Sequence, residues 1–186
     1  MAIDPLKIAA YCAYLGAWLV FAVAALMAAL PRLRRLTASP SGMSIPVLIG
    51  TLLQLLAAFA ITRSMGNGPL RPRPFELAGA LVLAPLGAAV FVWALASARR
   101  GDADTLVTAG AYSWLRHPIY LAFLAMLVAT GFLVAGGVKL IVPIVLYLAG
   151  SELRIASEEA DMNERFPEGY AVYRRQTRWR YLPGLR

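Results

Sequence analysis

The sequence has very few of the residues that bind transition metals or form disulfides. It contains one histidine and one cysteine among 186 residues, which rules out an internal disulfide and argues against a His/Cys metal site. Charged residues make up only 15% of the chain, against roughly a quarter in typical soluble domains. No glycine-rich phosphate loop of the dinucleotide type is present. These scarcities leave long apolar segments as the main determinant of the fold.

Five apolar runs dominate the chain, which is 60% hydrophobic with a mean hydropathy of +0.64. At 1.5 Å per residue, the longer runs can cross a hydrocarbon layer of about 30 Å as helices. The pattern predicts an all-α integral membrane protein with about five transmembrane helices, the last two forming a hairpin, and a cytoplasmic C-terminal helical segment. The runs cover residues 8–30, 45–62, 77–98, 118–138 and 140–151.

Prolines and glycines divide these runs. Pro31 is expected to end the first helix, and Pro85 to kink the third. The glycine pair at 136–137 is expected to turn the hairpin, after which the short fifth helix must continue through Arg154. We therefore divide the chain into an N-terminal three-span region, residues 1–103, and a single unit, residues 104–186. The second unit contains the connector, residues 104–120, followed by the hairpin and the charged tail.

The net charge of +8 indicates a membrane surface rather than nucleic acid, because the basic residues flank apolar runs. With five spans the two termini lie on opposite faces. Counting basic residues in the loops favours an external N-terminus and a cytoplasmic C-terminus. The first run has no basic segment before it and is too long for a signal peptide, so we interpret it as a retained span.

The segment from residue 104 to residue 120 is the first candidate site. It holds His117, and Pro118 suits the first position of a helix. Arg116 and His117 therefore precede a helix N-terminus, where an anion would meet the helix dipole, a guanidinium and an imidazole. Tyr112 and Tyr120 add aromatic faces. The alternative is a plain juxtamembrane loop whose arginine reaches lipid headgroups.

The charged segment after the fifth run is the second candidate. Six of the ten acidic residues lie between Glu152 and Glu168. Arg154 and Glu158 are four residues apart and share one helix face, whereas Glu159 points about 100° away. The alternative is a solvated helix with surface ion pairs. The basic tail that follows could lie on the membrane or cover a site beneath it.

These two segments together resemble the isoprenylcysteine carboxyl methyltransferase family and its phospholipid methyltransferase relatives. The resemblance rests on Asp-Thr-Leu-Val-Thr-Ala-Gly-Ala-Tyr-Ser-Trp-Leu-Arg-His-Pro-Ile-Tyr, followed by Arg154, the paired glutamates, Phe166, Tyr170, Tyr173 and an Arg180…Pro183 ending. It implies S-adenosylmethionine as cofactor on the cytoplasmic side and a lipophilic or lipidated substrate. Carried over by position, it implies a catalytic role for Arg154 and Glu159, with Arg154 also facing the substrate. The implied cofactor-binding residues are Asp104, Thr105, Leu106, Val107, Tyr112, His117, Pro118, Ile119, Tyr120 and Glu158.

The residues do not decide which chemical group accepts the methyl group. A carboxylate acceptor needs only an anchor such as Arg154, whereas an amine or a thiol needs a base, for which Glu159 and His117 are the candidates.

Two other functions compete with methyl transfer: a nicotinamide-dependent lipid or sterol reductase, and a non-enzymatic membrane protein. The last would be expected to carry ionisable residues inside its spans. The first three runs have none, and Gln54 is their most polar side chain.

Overall fold

The computed structural model describes residues 5–36, 44–64, 72–99, 105–134 and 137–184, and every regular element within these ranges is helical. Short 3-10 turns at Gly110–Ser113 and Gly137–Leu140 precede the fourth and fifth α-helices. The predicted all-α class is confirmed. The α-helices are α1 Pro5–Leu36, α2 Ile45–Ser64, α3 Pro74–Arg99, α4 Pro118–Val134, α5 Ile141–Arg165 and α6 Pro167–Gln176.

Prolines have different effects in α1 and α3. Helix α1 continues past Pro31 to Leu36, so the prediction that this proline ends the helix was wrong. An internal proline removes one backbone hydrogen bond, a loss that long apolar helices tolerate. Helix α3 begins at Pro74, and the Glu76 carboxylate accepts a 2.6 Å hydrogen bond from the backbone N–H of Arg73. This contact satisfies a donor that the helix start would otherwise leave free.

Two helices of the described chain are long and apolar enough to cross a membrane, Pro5–Met27 and Pro74–Arg99. Only 17% and 39% of their most apolar windows are buried, and side chains such as Leu15 and Leu19 point outward. Helices in the core of a soluble protein bury such residues, so this outward apolar surface is typical of helices in lipid. Shorter apolar stretches, Ile45–Ile61 and Pro118–Val134, belong to α2 and α4. The number of five spans stays a prediction.

The helices pack in two groups. Helix α3 packs against α1 and α4, and the rings of Phe21 and Phe91 stack with centroids 3.8 Å apart. Helix α5 packs mainly against α2 rather than against α4, its neighbour in the chain. It still runs antiparallel to α4, because Gly131 lies against Leu140 and the Tyr147 hydroxyl donates a 2.7 Å hydrogen bond to the Tyr120 carbonyl. Gly136, in the predicted hairpin turn, lies outside the described residues.

Two glycines allow the close approach of α2 and α5. A Cβ atom built on Gly150 would lie 2.5 Å from the Gly50 carbonyl oxygen, which is closer than real Cβ contacts. We expect Gly150→Ala to lower the free energy of unfolding by about 1–3 kcal/mol, because the helices must move apart. The thermal unfolding midpoint of the purified protein in detergent measures this loss.

The matched control is Gly16→Ala, since a Cβ atom at Gly16 would meet no atom within 4 Å. Alanine is also the better helix former, so this variant should be as stable as the wild type or slightly more stable. Equal midpoints for the two variants would contradict the close α2–α5 contact.

Candidate functional site

The connector between α3 and α4 is held at its start by the end of α3. The Ala111 N–H donates a 3.2 Å hydrogen bond to the Ser97 hydroxyl oxygen, and that hydroxyl donates to the Trp93 carbonyl. Gly110 has a φ of +64°, a conformation that favours glycine, and a Cβ atom there would collide with the Ser97 hydroxyl. The 3-10 turn therefore depends on glycine at this position.

The C-terminal tail, residues 167–184 including α6, holds the connector from the other side. The backbone N–H groups of Arg116 and His117 donate to the carbonyls of Trp179 and Arg180, at 3.0 and 2.8 Å. The Tyr173 hydroxyl donates to the Tyr112 carbonyl at 2.7 Å. Of the two readings of the tail, the structure therefore favours a cover over the connector. Three tyrosines of this region are almost fully buried: Tyr170, Tyr173 and Tyr181.

Arg116 joins the connector, α5 and the tail. Its side chain is buried and donates to the Glu159 carboxylate at 2.9 Å and to the carbonyls of Thr177 and Arg178 at 2.9 and 2.8 Å. Three of its five donors are thus used within the protein. The sequence placed this guanidinium near a ligand, and Arg116 does line the cavity, but these three donors support the architecture of the site.

His117 lies between the two glutamates of α5. Its Nδ1 atom is 3.5 Å from a Glu158 oxygen, and its Nε2 atom is 3.3 Å from a Glu159 oxygen. The carboxylates differ in their other surroundings. The side chain of Glu159 is only 9% exposed and also pairs with Arg116 and Arg180, whereas that of Glu158 is 39% exposed. The angular offset between consecutive helical residues sends Glu159 towards the tail and leaves Glu158 accessible.

Glu158 belongs to a small polar group on the open side of α5. It accepts a 2.5 Å hydrogen bond from the Tyr120 hydroxyl, and a guanidinium nitrogen of Arg154 lies 3.8 Å from the same oxygen. The Arg154 guanidinium also lies over the Tyr120 ring, 5.6 Å from its centroid. Sequence spacing predicted that Arg154 and Glu158 share a face, and the structure adds Tyr120 between them.

The charges of this group stabilise one another. Burial raises the pKa of Glu159, but hydrogen bonds from His117 and Arg116 outweigh that effect and lower the pKa to about 2. Burial would lower the pKa of His117, yet its hydrogen bonds and charge interactions with Glu158 and Glu159 raise that pKa above the ordinary 6.5. Burial likewise raises the pKa of Glu158, but His117 and Tyr120 more than offset it and lower the pKa. The site thus favours an imidazolium between two carboxylates.

A pH dependence of stability follows from the raised pKa of His117. The stabilisation is complete below the unfolded-state pKa of about 6.5 and is lost as the pH rises through the higher folded-state pKa. We therefore expect the thermal midpoint of the ligand-free protein to fall between pH 6 and pH 9, as measured by scanning fluorimetry. Glu159 does not oppose this trend, because its contribution is lost only as the pH falls from about 4.5 towards 2.

A His117→Asn variant is the control for this titration, since asparagine cannot become charged. Its midpoint should be lower at pH 6 and should change little from pH 6 to pH 9. An equally steep fall in the variant would show that another group titrates.

A cavity of about 1150 Å³ opens beside these residues and extends between the helices. Typical small-molecule sites have about 300–1,000 Å³, so the cavity has room for more than one ligand. One end is formed by the connector and α5, and the other by apolar side chains of α1, α2 and α4. The residues at the connector end include Thr105, Leu106, Val107, Tyr112, His117, Pro118, Ile119, Tyr120, Arg154 and Glu158, and those at the apolar end include Trp18, Leu55, Ile61, Phe123 and Met126.

The structure thus brings nearly all the sequence-predicted site residues to one cavity. Asp104 lies outside the described residues, and Glu159 lies behind His117 rather than at the cavity wall. Sequence reasoning did not assign Gln54 or Tyr170 to the site, although both line the cavity. The sequence did mark Gln54 as the most polar side chain of the first three runs. The burial of Tyr170 depends on how the tail folds back, which no local pattern reveals.

Comparison with known proteins agrees with this arrangement. The described residues form an all-α fold with a charged site at one end of its helices, and the apolar helices suggest a membrane protein. The model of the isoprenylcysteine carboxyl methyltransferase (ICMT) family matches residues 80–164. This match supports assignment of the chain to that family and confirms the resemblance seen in the sequence. A search of curated proteins found no match.

The matched segment differs in extent from the motifs that carried the resemblance. It begins inside α3, where the sequence showed no motif, and ends near the C-terminus of α5, before the tail that begins with α6. It includes the connector, Arg154 and both glutamates of the site. The match to this family suggests a membrane methyltransferase.

Proposed function

We propose that the protein transfers a methyl group from S-adenosylmethionine to a lipophilic acceptor. One observation carries the proposal: a single cavity joins a charged end, with Glu158 and the N-terminus of α4, to apolar faces of the membrane helices. A polar cofactor and an apolar acceptor need two such ends close together. The donor supplies a methyl group already activated by its sulfonium, so the protein has chiefly to align the reactants.

The residues present fit the cofactor. Glu158 is ionised and accessible, so it can accept hydrogen bonds from the ammonium group. In the first turn of α4, Ile119 can offer its backbone N–H to the carboxylate, with His117 adjacent. Pro118 has no N–H, and the Tyr120 N–H donates to the His117 carbonyl at 3.2 Å. We assign the adenosyl part to the connector residues Thr105, Leu106, Val107 and Tyr112, which lie at the same end of the cavity.

Arg154 is proposed to anchor the acceptor. Its side chain lines the cavity next to Glu158, which brings a substrate anion close to the cofactor ammonium site. Neither candidate base is in a suitable state. The pKa of about 2 makes Glu159 a weak base, and the raised pKa of His117 favours its protonated form. An acceptor that needs no deprotonation, such as the carboxylate of a prenylated cysteine, therefore fits better than an amine or a thiol.

Glu159 is proposed to act through its neighbours. It holds Arg116, His117 and Arg180 together and does not reach the cavity wall. Its position supports a role in fixing the His117 ring and the tail, so it is better described as a positioning residue than as a base. The tail above it helps to exclude water from the reacting centre.

Titration calorimetry with S-adenosylhomocysteine on the detergent-purified protein tests the cofactor. We expect saturable binding, and NADPH should not compete with it. Absence of binding in a sample with a cooperative thermal transition would overturn the proposal, and competition by NADPH would favour the reductase instead. Transfer of a radiolabelled methyl group into native membrane extract, followed by separation of lipid from protein, then identifies the acceptor class.

The proposed topology has five spans, an external N-terminus and a site on the cytoplasmic face. It is supported by the apolar helices and by the distribution of basic residues. Reporter fusions at the C-terminus test it: green fluorescent protein should fluoresce there and alkaline phosphatase should be inactive. The opposite pattern would reverse the orientation.

A further inference from the structure

We propose that Gln54 of α2 is a positioning residue for Arg154, holding its guanidinium in place without neutralising its charge. The inference deepens the proposed function and rests on it where Arg154 is taken to bind the acceptor. Gln54 lies outside the segment matched by the family model, so the role adds α2 to the site.

The contacts of Gln54 are directional. Its Oε1 atom accepts a 3.0 Å hydrogen bond from Arg154 Nη1, and its Nε2 atom donates a 3.1 Å hydrogen bond to the Ser151 hydroxyl. The Ser151 hydroxyl donates its own hydrogen to the Tyr147 carbonyl at 2.8 Å. Ser151 can therefore only accept from Gln54, which turns the amide nitrogen towards Ser151 and the amide oxygen towards Arg154.

The helix geometry explains why Gln54 reaches its partners. Gly50 lies one turn before Gln54, and Gly150 lies one turn before Arg154, so the closest approach of α2 and α5 is next to both side chains. A polar amide on an apolar helix is unfavourable unless its groups are bonded, and here both ends of the amide have partners. The close approach of the two helices thus brings the Gln54 amide within hydrogen-bond distance of Ser151 and Arg154.

The amide leaves Arg154 able to bind an anion. Within the described part of the chain, Gln54 is the one hydrogen-bond acceptor for Arg154, and the Glu158 carboxylate is 3.8 Å away. A guanidinium has five donors, of which Gln54 accepts one, and Arg154 lines the cavity. Its Nε atom is buried without a hydrogen-bond partner among the described residues. A neutral acceptor fixes one edge of the guanidinium while its positive charge stays available to an anionic group of the acceptor.

The experiment compares Gln54→Leu, Gln54→Glu and a matched control, Ser44→Ala. Ser44, the residue before α2, also forms a hydrogen bond with α5, of 3.0 Å to Ser157, but it does not line the cavity. The probe acceptor is N-acetyl-S-farnesylcysteine, a prenylated carboxylate. Three measurements are made: steady-state kinetics, which give KM and kcat for the probe, titration of S-adenosylhomocysteine, which gives its affinity, and ¹⁵N NMR, which gives the exchange of the Arg154 side-chain N–H signals.

We expect Gln54→Leu to raise KM about tenfold, with kcat and cofactor affinity within about twofold of wild type, and to speed rotation of the Arg154 guanidinium. Gln54→Glu keeps an acceptor and should restore the slow rotation, but its negative charge should leave KM raised. Ser44→Ala should match the wild type in all three measurements.

Unchanged KM and unchanged Arg154 signals in Gln54→Leu would overturn the inference, as would an equal rise in KM for Ser44→Ala. Failure of the proposed function would give a different result, because the folded wild-type protein would then not bind S-adenosylhomocysteine. If the wild type does not methylate the probe, the NMR comparison alone decides whether Gln54 positions Arg154.

Discussion

Glu158→Gln is expected to weaken binding of S-adenosylhomocysteine about 100-fold, because it removes the one carboxylate that lines the cavity among the described residues. Hydrogen bonds to charged groups contribute about 1.5–3 kcal/mol, and each 1.4 kcal/mol changes the affinity tenfold. Glutamine keeps an oxygen for the Tyr120 hydroxyl, so the local structure should persist. Titration calorimetry in detergent measures the change.

Asp161→Asn is the matched control for Glu158→Gln. Asp161 lies on the same helix one turn nearer the C-terminus and is exposed. The control removes an equal charge from α5 and should leave the affinity within about twofold of wild type, since exposed charges at a distance are screened. Equal losses in both variants would indicate a general electrostatic effect, and an unchanged Glu158→Gln would refute the assignment of the ammonium site.

Arg116→Ala is expected to produce the largest loss of stability, about 3–5 kcal/mol, because it leaves the buried Glu159 with one partner fewer and two tail carbonyls without their donor. For a chain of this size the loss corresponds to a fall of about 10 °C in the thermal midpoint. The tail should also detach from the connector, so protease should cleave it more rapidly. Scanning fluorimetry and limited proteolysis measure the two effects.

Arg175→Ala supplies the comparison for Arg116→Ala. Arg175 is exposed on α6 and lies outside the buried ion-pair cluster, so its loss should change stability by less than about 0.5 kcal/mol. Arg116→Lys should be intermediate, because an ammonium restores the charge but not the planar set of donors. If Arg116→Ala unfolds at the same temperature as Arg175→Ala, the tail does not depend on this contact.

The positions of Arg154, Glu158 and His117 show which parts of the site could be predicted from the sequence. The spacing of Arg154 and Glu158 predicts a shared helix face, and the structure places both at the cavity. Pro118 predicts a helix start after His117, and α4 begins there. Both inferences use contacts within one turn of helix, where backbone geometry alone determines which side chains meet.

Contacts between distant parts of the chain could not be inferred in this way. No pattern indicated that Arg116 would donate to the carbonyls of Thr177 and Arg178. The continuation of α1 past Pro31 likewise contradicted the local rule. A proline lowers the stability of a helix locally, but the remaining interactions of a long apolar helix decide whether it ends there.

By itself the sequence determined the helical class, the apolar runs and the two charged segments, because these follow from composition and from the 3.6-residue period of the helix. Only the tertiary structure decided that α5 packs on α2 through Gly50 and Gly150, that Gln54 thereby meets Arg154, and that the tail covers the connector. These contacts join residues far apart in the chain, and their geometry depends on how closely whole helices pack.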